Sequence, residues 1–286
     1  VLLAIQKQKH INSKNIKLYY AESDLPEADI IVIGFPYDKT SSFLPGSKYG
    51  PEFIRFCSDN IEDYSPYQNK SLYDHKICDL DDISLDNKDW DQTIEKKINE
   101  IYDKEKFYVF LGGEHTITVP IIRSLKSIYS EFTVVQFDAH CDMRDQYKGK
   151  KMCHASVMRR VSEMLNIENI YQFGIRSGTK EEFSFGKNLY KYEVLKPLAS
   201  VIDKIHGPVY LTIDVDVLDP GVLPAVSTPE PGGISYRELI DALLLFKDKQ
   251  IIGADIVEYN PLTASPYGSG STVAELLREL IIMTRK

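Results

Sequence analysis

Short, almost unbroken apolar runs set the tightest limit on how this chain can fold. Segments 30–34, 107–111, 132–137, 170–174, 208–213 and 251–257 are rich in β-branched and aromatic residues and lack the apolar–polar alternation of a half-exposed strand. Amphipathic stretches lie between them. In 92–102, Ile94, Ile98 and Ile101 recur at helical spacing; 235–246 opens with Ser235-x-x-Glu238, a capping-box pattern; 272–284 is a further helix candidate. Strands covered on both faces and alternating with helices predict a three-layer α/β/α sandwich around a mainly parallel sheet. No Gly/Ser-rich linker, charge block or internal repeat divides the chain, so residues 1–286 are read as one domain.

Ligands of such sheets bind beyond the carboxyl ends of the strands, which is where this chain concentrates its acids and histidines. Gly112-Gly113-Glu114-His115 follows the second run, Asp138-Ala139-His140-Cys141-Asp142 the third, and Asp214-Val215-Asp216 the fifth. An extended backbone aims Asp138, His140 and Asp142 to one side, and Asp214 and Asp216 likewise, while Cys141 turns to the opposite face as a packing residue. Four carboxylates and two imidazoles in one crevice repel one another unless cations sit between them. An oxygen-dominated set with imidazole and no thiolate suits Mn²⁺ better than structural Zn²⁺. Two such ions, roughly 3.5–4 Å apart, acidify a bridging water into a nucleophile. A single Asp-x-Asp after a strand is more often a turn than a ligand pair; three clusters together carry the metal reading. His10, His75 and His206 lie in no cluster and are read as surface or structural residues.

The formal net charge of −8 disfavours a nucleic-acid partner and fits a cationic substrate. No run approaches the roughly 18 apolar residues of a membrane span, and the opening VLLAIQKQKH has no signal-peptide features, so a cytoplasmic protein with no membrane partner is expected. Cys57, Cys78, Cys141 and Cys153 show no paired spacing and are read as reduced thiols.

The ordered segments LGGEHTIT (111–118), FDAHCDMRD (137–145), CHASVMRR (153–160), TIDVDVLDP (212–220), STPEPGG (227–233) and DIVEYNP (255–261) resemble the ureohydrolase family, which includes arginase, agmatinase and formiminoglutamase. LPGSKYGPEFIR (44–55) resembles the family's N-terminal G-S-x-x-G-P-x-x-I-R stretch, so the likeness spans most of the chain. It implies an arginase-like fold and a centre of two Mn²⁺ per subunit held by His115, Asp138, His140, Asp142, Asp214 and Asp216. It adds His154 as the proton-handling histidine near the leaving amine and Glu258 as the carboxylate that pairs with the substrate guanidinium. By itself His154 would be read as a helix-start histidine that caps or packs, while the plain alternative for Glu258 is a strand-end salt bridge. With an unperturbed pKa close to working pH, a histidine at 154 could pass a proton to the departing amine. The implied reaction is hydroxide attack on the guanidinium carbon, with Asp142 stabilising the intermediate and Asp142 or His154 protonating the departing amine. Gly112 and Gly113 are expected to let backbone approach the ligand shell, and STPEPGG to wall the pocket.

Met143-Arg144-Asp145 stands where arginases place the Asn that reads an α-amino acid. That run, CHASVMRR and Gly174-Ile175-Arg176-Ser177-Gly178 resemble the agmatinase branch, whose substrate agmatine, a guanidine with a distant amine, yields putrescine and urea. Cys153 replaces a common Ser, and LTASPYGSGST (262–272) lacks a frequent aspartate, which keeps 4-guanidinobutyrate and 3-guanidinopropionate open as substrates; Arg144, Arg159, Arg160 and Arg176 could serve their carboxylates or equally be structural partners of nearby acids. A non-catalytic member of the fold and a dinuclear phosphoesterase are the rival classes. The resemblance also implies a homo-oligomer, a trimer or hexamer.

Overall fold

The computed structural model describes residues 16–284; His10 and the apolar opening run lie outside them. Eight strands form the central sheet: β1 (Ile30–Phe35), β2 (Ile77–Asp82), β3 (Phe107–Gly112), β4 (Thr133–Phe137), β5 (Ile170–Ile175), β6 (Asn188–Lys191), β7 (Pro208–Asp214) and β8 (Gln250–Val257). Their order is β2-β1-β3-β8-β7-β4-β5-β6, and neighbouring strands run parallel throughout. The helices are α1 (Gly50–Ser58), α2 (Trp90–Ile101), α3 (Thr118–Ile128), α4 (Val157–Ser162), α5 (Lys180–Phe185), α6 (Leu195–Val201), α7 (Tyr236–Leu243) and α8 (Pro266–Met283).

Alternate residues of one strand feed two separate cores. Ile30 and Val32 of β1 join a cluster with Phe53 of α1, Leu198 of α6, Leu239 of α7 and Leu277 of α8. Ile31, Ile33 and Phe35 join the other, with Ile94 of α2, Ile122 of α3 and Met158 of α4. Both faces are therefore covered, which explains the unbroken apolar runs and makes the molecule the α/β/α sandwich expected. No helix among the described residues is long and apolar enough to cross a membrane.

The six expected strands form, each within a residue of its predicted bounds. β2 and β6 were missed, and these are the two sheet edges. Their sequences, ICDLDD and NLYK, carry polar groups that a strand buried on both faces would not tolerate. The last helix begins at Pro266, not residue 272. Glycines at 268 and 270 lower helix propensity and masked its first turns. Gly270 is there for packing: a Cβ would lie 2.5 Å from Cys57 Sγ of α1 and 2.8 Å from the Tyr259 hydroxyl.

The 44–55 motif anchors α1 to the β2 edge. Arg55, 2% exposed, donates from Nε and Nη2 to Asp79 at 2.7 and 2.9 Å and also pairs with Asp82. Asp79 further accepts from the backbone of Leu18 and Asp81. Removing one partner of a buried pair leaves an uncompensated charge. Arg55→Met should therefore destabilise the fold by about 3–5 kcal/mol in denaturant unfolding; a loss under about 1 kcal/mol, the range of exposed pairs, would show that Asp79 does not need this partner.

Candidate metal centre

Four adjacent strands, β3, β8, β7 and β4, end at one height and place every residue expected at the centre. Register aligns Ile256 with Leu111, Val257 with Asp214 and Ile213 with Phe137. Asp138 and Asp214 are thus next-door residues at two strand ends, with His115 and Glu258 just past the other two.

The side chains converge as two triads that share Asp138: His115 with Asp138 and Asp214, and His140 with Asp138 and Asp216. His115 Nδ1 lies 3.1 Å from Asp138 Oδ2 and 3.6 Å from Asp214 Oδ2. His140 Nδ1 lies 2.9 Å from Asp216 Oδ2 and 3.6 Å from Asp138 Oδ1. Asp142 joins neither triad, but its Oδ2 is 3.0 Å from His115 Nδ1. It gets there by another route than extended alternation: the strand stops at Phe137, and Asp142 takes a left-handed φ of 51°. Glu258 is also left-handed, at 67°. Such backbone in a non-glycine residue costs of order 1–3 kcal/mol and is found where a site demands it.

Hydrogen bonds fix the outward atoms of the cluster. Asp138 accepts from Gln136 Nε2 and from the His140 amide, each at 2.5 Å. Asp214 Oδ1 caps the following 3-10 turn by accepting from the Asp216 amide at 2.9 Å, so the Asp-x-Asp pair does form a turn, while the Oδ2 atoms of both aspartates face the histidines. Asp216 Oδ1 accepts from the Ala139 amide at 3.0 Å. Beneath His115, Nε2 is 2.8 Å from Thr212 Oγ1, whose proton goes to Asp255 at 2.6 Å. Asp255 also accepts from the hydroxyls of Tyr210 and Thr118. Nε2 must therefore be the donor to Thr212, which leaves Nδ1 as the nitrogen that would offer its lone pair to a cation in place of a proton.

That arrangement fits a cation. His115 Nδ1 and Asp216 Oδ2, one atom from each triad, are buried and make no hydrogen bond. Burial, then the neighbouring carboxylates, push Asp214 well above the usual carboxylate range. Glu258 rises likewise through burial and Glu114. Burial opposes charge on His115 and His140, yet Asp138, Asp142 and Asp216 raise both rings well above the ordinary value. The protons this cluster demands are what divalent ions would replace.

Glu258 is no strand-end salt bridge among the described residues: its Oε1 accepts from the His115 amide at 2.8 Å, and its own amide donates to Gly113 O at 2.8 Å. His154 lines the same cleft, of about 200 Å³, with Thr40 Oγ1 3.2 Å from Nδ1 and Ser42 Oγ 3.2 Å from Nε2. Burial, then the charge on His140, hold it down to about 4, below the ordinary near-neutral value of histidine. Both effects favour the neutral imidazole. Thr228 and Glu230 line the cleft, so STPEPGG does wall it. The Gly113 carbonyl accepts from the Glu258 amide, and Cβ atoms at Gly112 and Gly113 would meet Val257 Cγ1 at 2.6 Å and Tyr37 O at 2.1 Å. Cys141 is packed in the α2–α4 core, as expected, and all four cysteines are buried thiols. His75 and His206 lie outside the cleft.

Thr40, Ser42, Gln136, Thr212 and Asp255 were not foreseen. Thr212 and Asp255 stand inside two of the motifs, where a polar residue in a strand buried on both faces is itself a signal.

A doubly covered parallel sheet whose strand ends gather an Asp/His cluster fitted to cations defines a metal-dependent hydrolase of the α/β class. The family model of the arginase family matches residues 28–283, and the chain belongs to that family, a family of ureohydrolases. It is 38% identical over 266 residues to the agmatinase of Bacillus anthracis, covering 90% of this chain and 92% of that protein. The N(1)-aminopropylagmatine ureohydrolase of Synechocystis is 35% identical over 268 residues, with 86% of each covered. The crystal structure of the agmatine ureohydrolase of Thermoplasma volcanium superposes with a TM-score of 0.86 at 32% identity, covering 97% of both chains.

Losing the acceptor under His115 should loosen cation binding. Thr212→Val is expected to weaken divalent-ion affinity about 10- to 100-fold, read by competition with a chromogenic chelator; an unaltered affinity would detach Thr212 from the centre.

Proposed function

We propose that this protein is an agmatinase, a single-domain enzyme that hydrolyses agmatine to putrescine and urea with two Mn²⁺ per subunit. The observation that carries the reading is the pair of Asp/His triads sharing Asp138, with Glu258 opening into the same cleft. His115, Asp138 and Asp214 would hold one ion, and His140, Asp138 and Asp216 the other, with Asp142 beside His115. The donors are oxygen and imidazole nitrogen, a set that favours Mn²⁺ over structural zinc. When bound, the two cations supply compensating charge and acidify a water for attack.

The residues divide the remaining work. Glu258, fixed by the His115 amide, accepts guanidinium N–H groups and orients the carbon. Asp142 takes the proton released as water adds and passes it to the departing nitrogen; the C–N bond breaks to give urea and the amine. His154, neutral and hydrogen-bonded to Thr40 and Ser42, relays a proton between cleft and solvent instead of arriving charged. Its pKa therefore supports a relay over the direct acid inferred from its type.

Substrate charge is the finer point. The arginines that could serve a carboxylate are engaged: Arg144 with Glu182, Arg159 over the Phe185 ring, Arg160 with Asp145 and Glu163, Arg176 with backbone carbonyls. This favours a guanidine with a cationic tail over a guanidino acid. The Synechocystis relative, whose named substrate bears a longer amine, supports the same tail charge. A cytoplasmic homo-oligomer, trimer or hexamer, accompanies the reading.

Urea release by Mn²⁺-loaded protein should be fastest with agmatine among agmatine, arginine, 4-guanidinobutyrate and 3-guanidinopropionate; preference for an acid would reassign the tail pocket, and silence on all would end the enzymatic reading. Asp214→Ala should abolish turnover and lower bound Mn²⁺, whereas retention of both would remove Asp214 from the ligands. Glu258→Gln should keep the metal and lose about a hundredfold in kcat/KM; unchanged kinetics would refute its guanidinium role.

A further inference from the structure

We propose that Glu230 is the specificity-determining residue, pairing with the distal ammonium of the substrate; the assignment rests on the ureohydrolase reading above. Beyond the centre, the cleft offers two other carboxylates, Glu182 and Glu230. Glu182 is 4% exposed, accepts from the amides of Met143 and Thr179, and faces Arg144 Nε at 3.3 Å. Its charge is already balanced.

Glu230 is different. Its side chain is 36% exposed, Oε1 accepts from Ser177 Oγ at 2.8 Å, and no Lys or Arg among the described residues pairs with it. His140 Nε2, at 3.7 Å, is beyond hydrogen-bond reach. The carboxylate therefore stands in the cleft wall with the His140 ring edge as its nearest ionisable neighbour and no Lys or Arg partner among the described residues.

Its position suits a tail and not the reacting group. The His140 ring spans the gap, with Nδ1 at Asp216 and Nε2 toward Glu230, so Glu230 sits about one imidazole beyond the centre. A short methylene spacer covers that distance, and a bare guanidinium does not. Nor is an aromatic seat free for the ammonium: the Tyr147 ring already carries Arg144 at 4.6 Å and Lys148 at 5.6 Å.

The supporting loop is pinned before any ligand arrives. Arg176 donates to Glu230 O from Nη2 at 2.8 Å and Nε at 3.3 Å. Asp219 Oδ2 accepts from the Gly232 and Gly233 amides, and Asn260 Nδ2 donates to Ser227 Oγ at 3.1 Å. A rigid carboxylate loses little freedom on pairing and discriminates by charge and distance.

The test compares ligands with and without the second amine. Calorimetry of Mn²⁺-loaded wild type and Glu230→Gln with putrescine and butylamine reads binding without turnover; urea release from agmatine and 1-butylguanidine reads the reaction. Glu230→Gln should weaken putrescine, and raise KM for agmatine, about ten-fold more than it affects the single-amine partner. Equal effects on both members of each pair, or none, overturn the assignment; equal loss with a fall in bound Mn²⁺ would instead make Glu230 a positioning residue for His140. Absence of urea from every guanidine with wild type would sink the ureohydrolase reading separately, and the diamine binding ratio would still decide Glu230.

Discussion

Uncompensated negative charge, withdrawn from water, is the condition on which the carboxyl end of this sheet depends. Asp138, Asp142, Asp214, Asp216 and Glu258 are all less than a tenth exposed. Elsewhere the fold buries acids beside a fixed cation, as with Asp79 and Arg55 or Glu279 and Arg278, or within a ring of hydroxyl donors, as with Asp255 and Glu114. At the centre the facing groups are imidazoles, whose protons are borrowed from solution. An ionised carboxylate in such surroundings costs several kcal/mol unless something positive shares the space. The centre is thus an anionic socket whose counter-charge has to come from outside the polypeptide.

Geometry then decides which charge fits. The register of four strands sets the spacing of the triads, and hydrogen bonds from Gln136, Thr212 and the backbone amides hold the outward atoms so that the inward ones cannot turn away. Asp142 and Glu258 reach the cleft through left-handed backbone that glycine would adopt at less cost. Their side chains therefore serve the site at some expense in stability, a trade common at functional positions.

How much of this was legible in the sequence follows the same physics. Strands covered on both faces announce themselves as apolar runs, so β1, β3, β4, β5, β7 and β8 could be read directly. β2 and β6, at the edges, read as ordinary polar segments because one side of each lacks a neighbour. The expected site residues do gather in one cleft, since strand ends concentrate them. Hidden were contacts between segments far apart in the chain: Thr40 against His154, Thr212 against His115, and Arg176 under Glu230. Such pairings depend on sheet order, and local periodicity carries no record of it. The lowering of His154 was hidden for a related reason, because burial and the charge on His140 are properties of the assembled cleft.

β7 and β8 come last in the chain yet lie in the middle of the sheet, between β3 and β4. Residues 30–191 can at most prepare two half-sheets separated by a gap two strands wide. Asp214, Asp216 and Glu258 arrive with the strands that fill it. During synthesis on a ribosome the cation socket therefore cannot close until nearly the whole domain has emerged, and a prematurely terminated chain exposes the open flanks of β3 and β4.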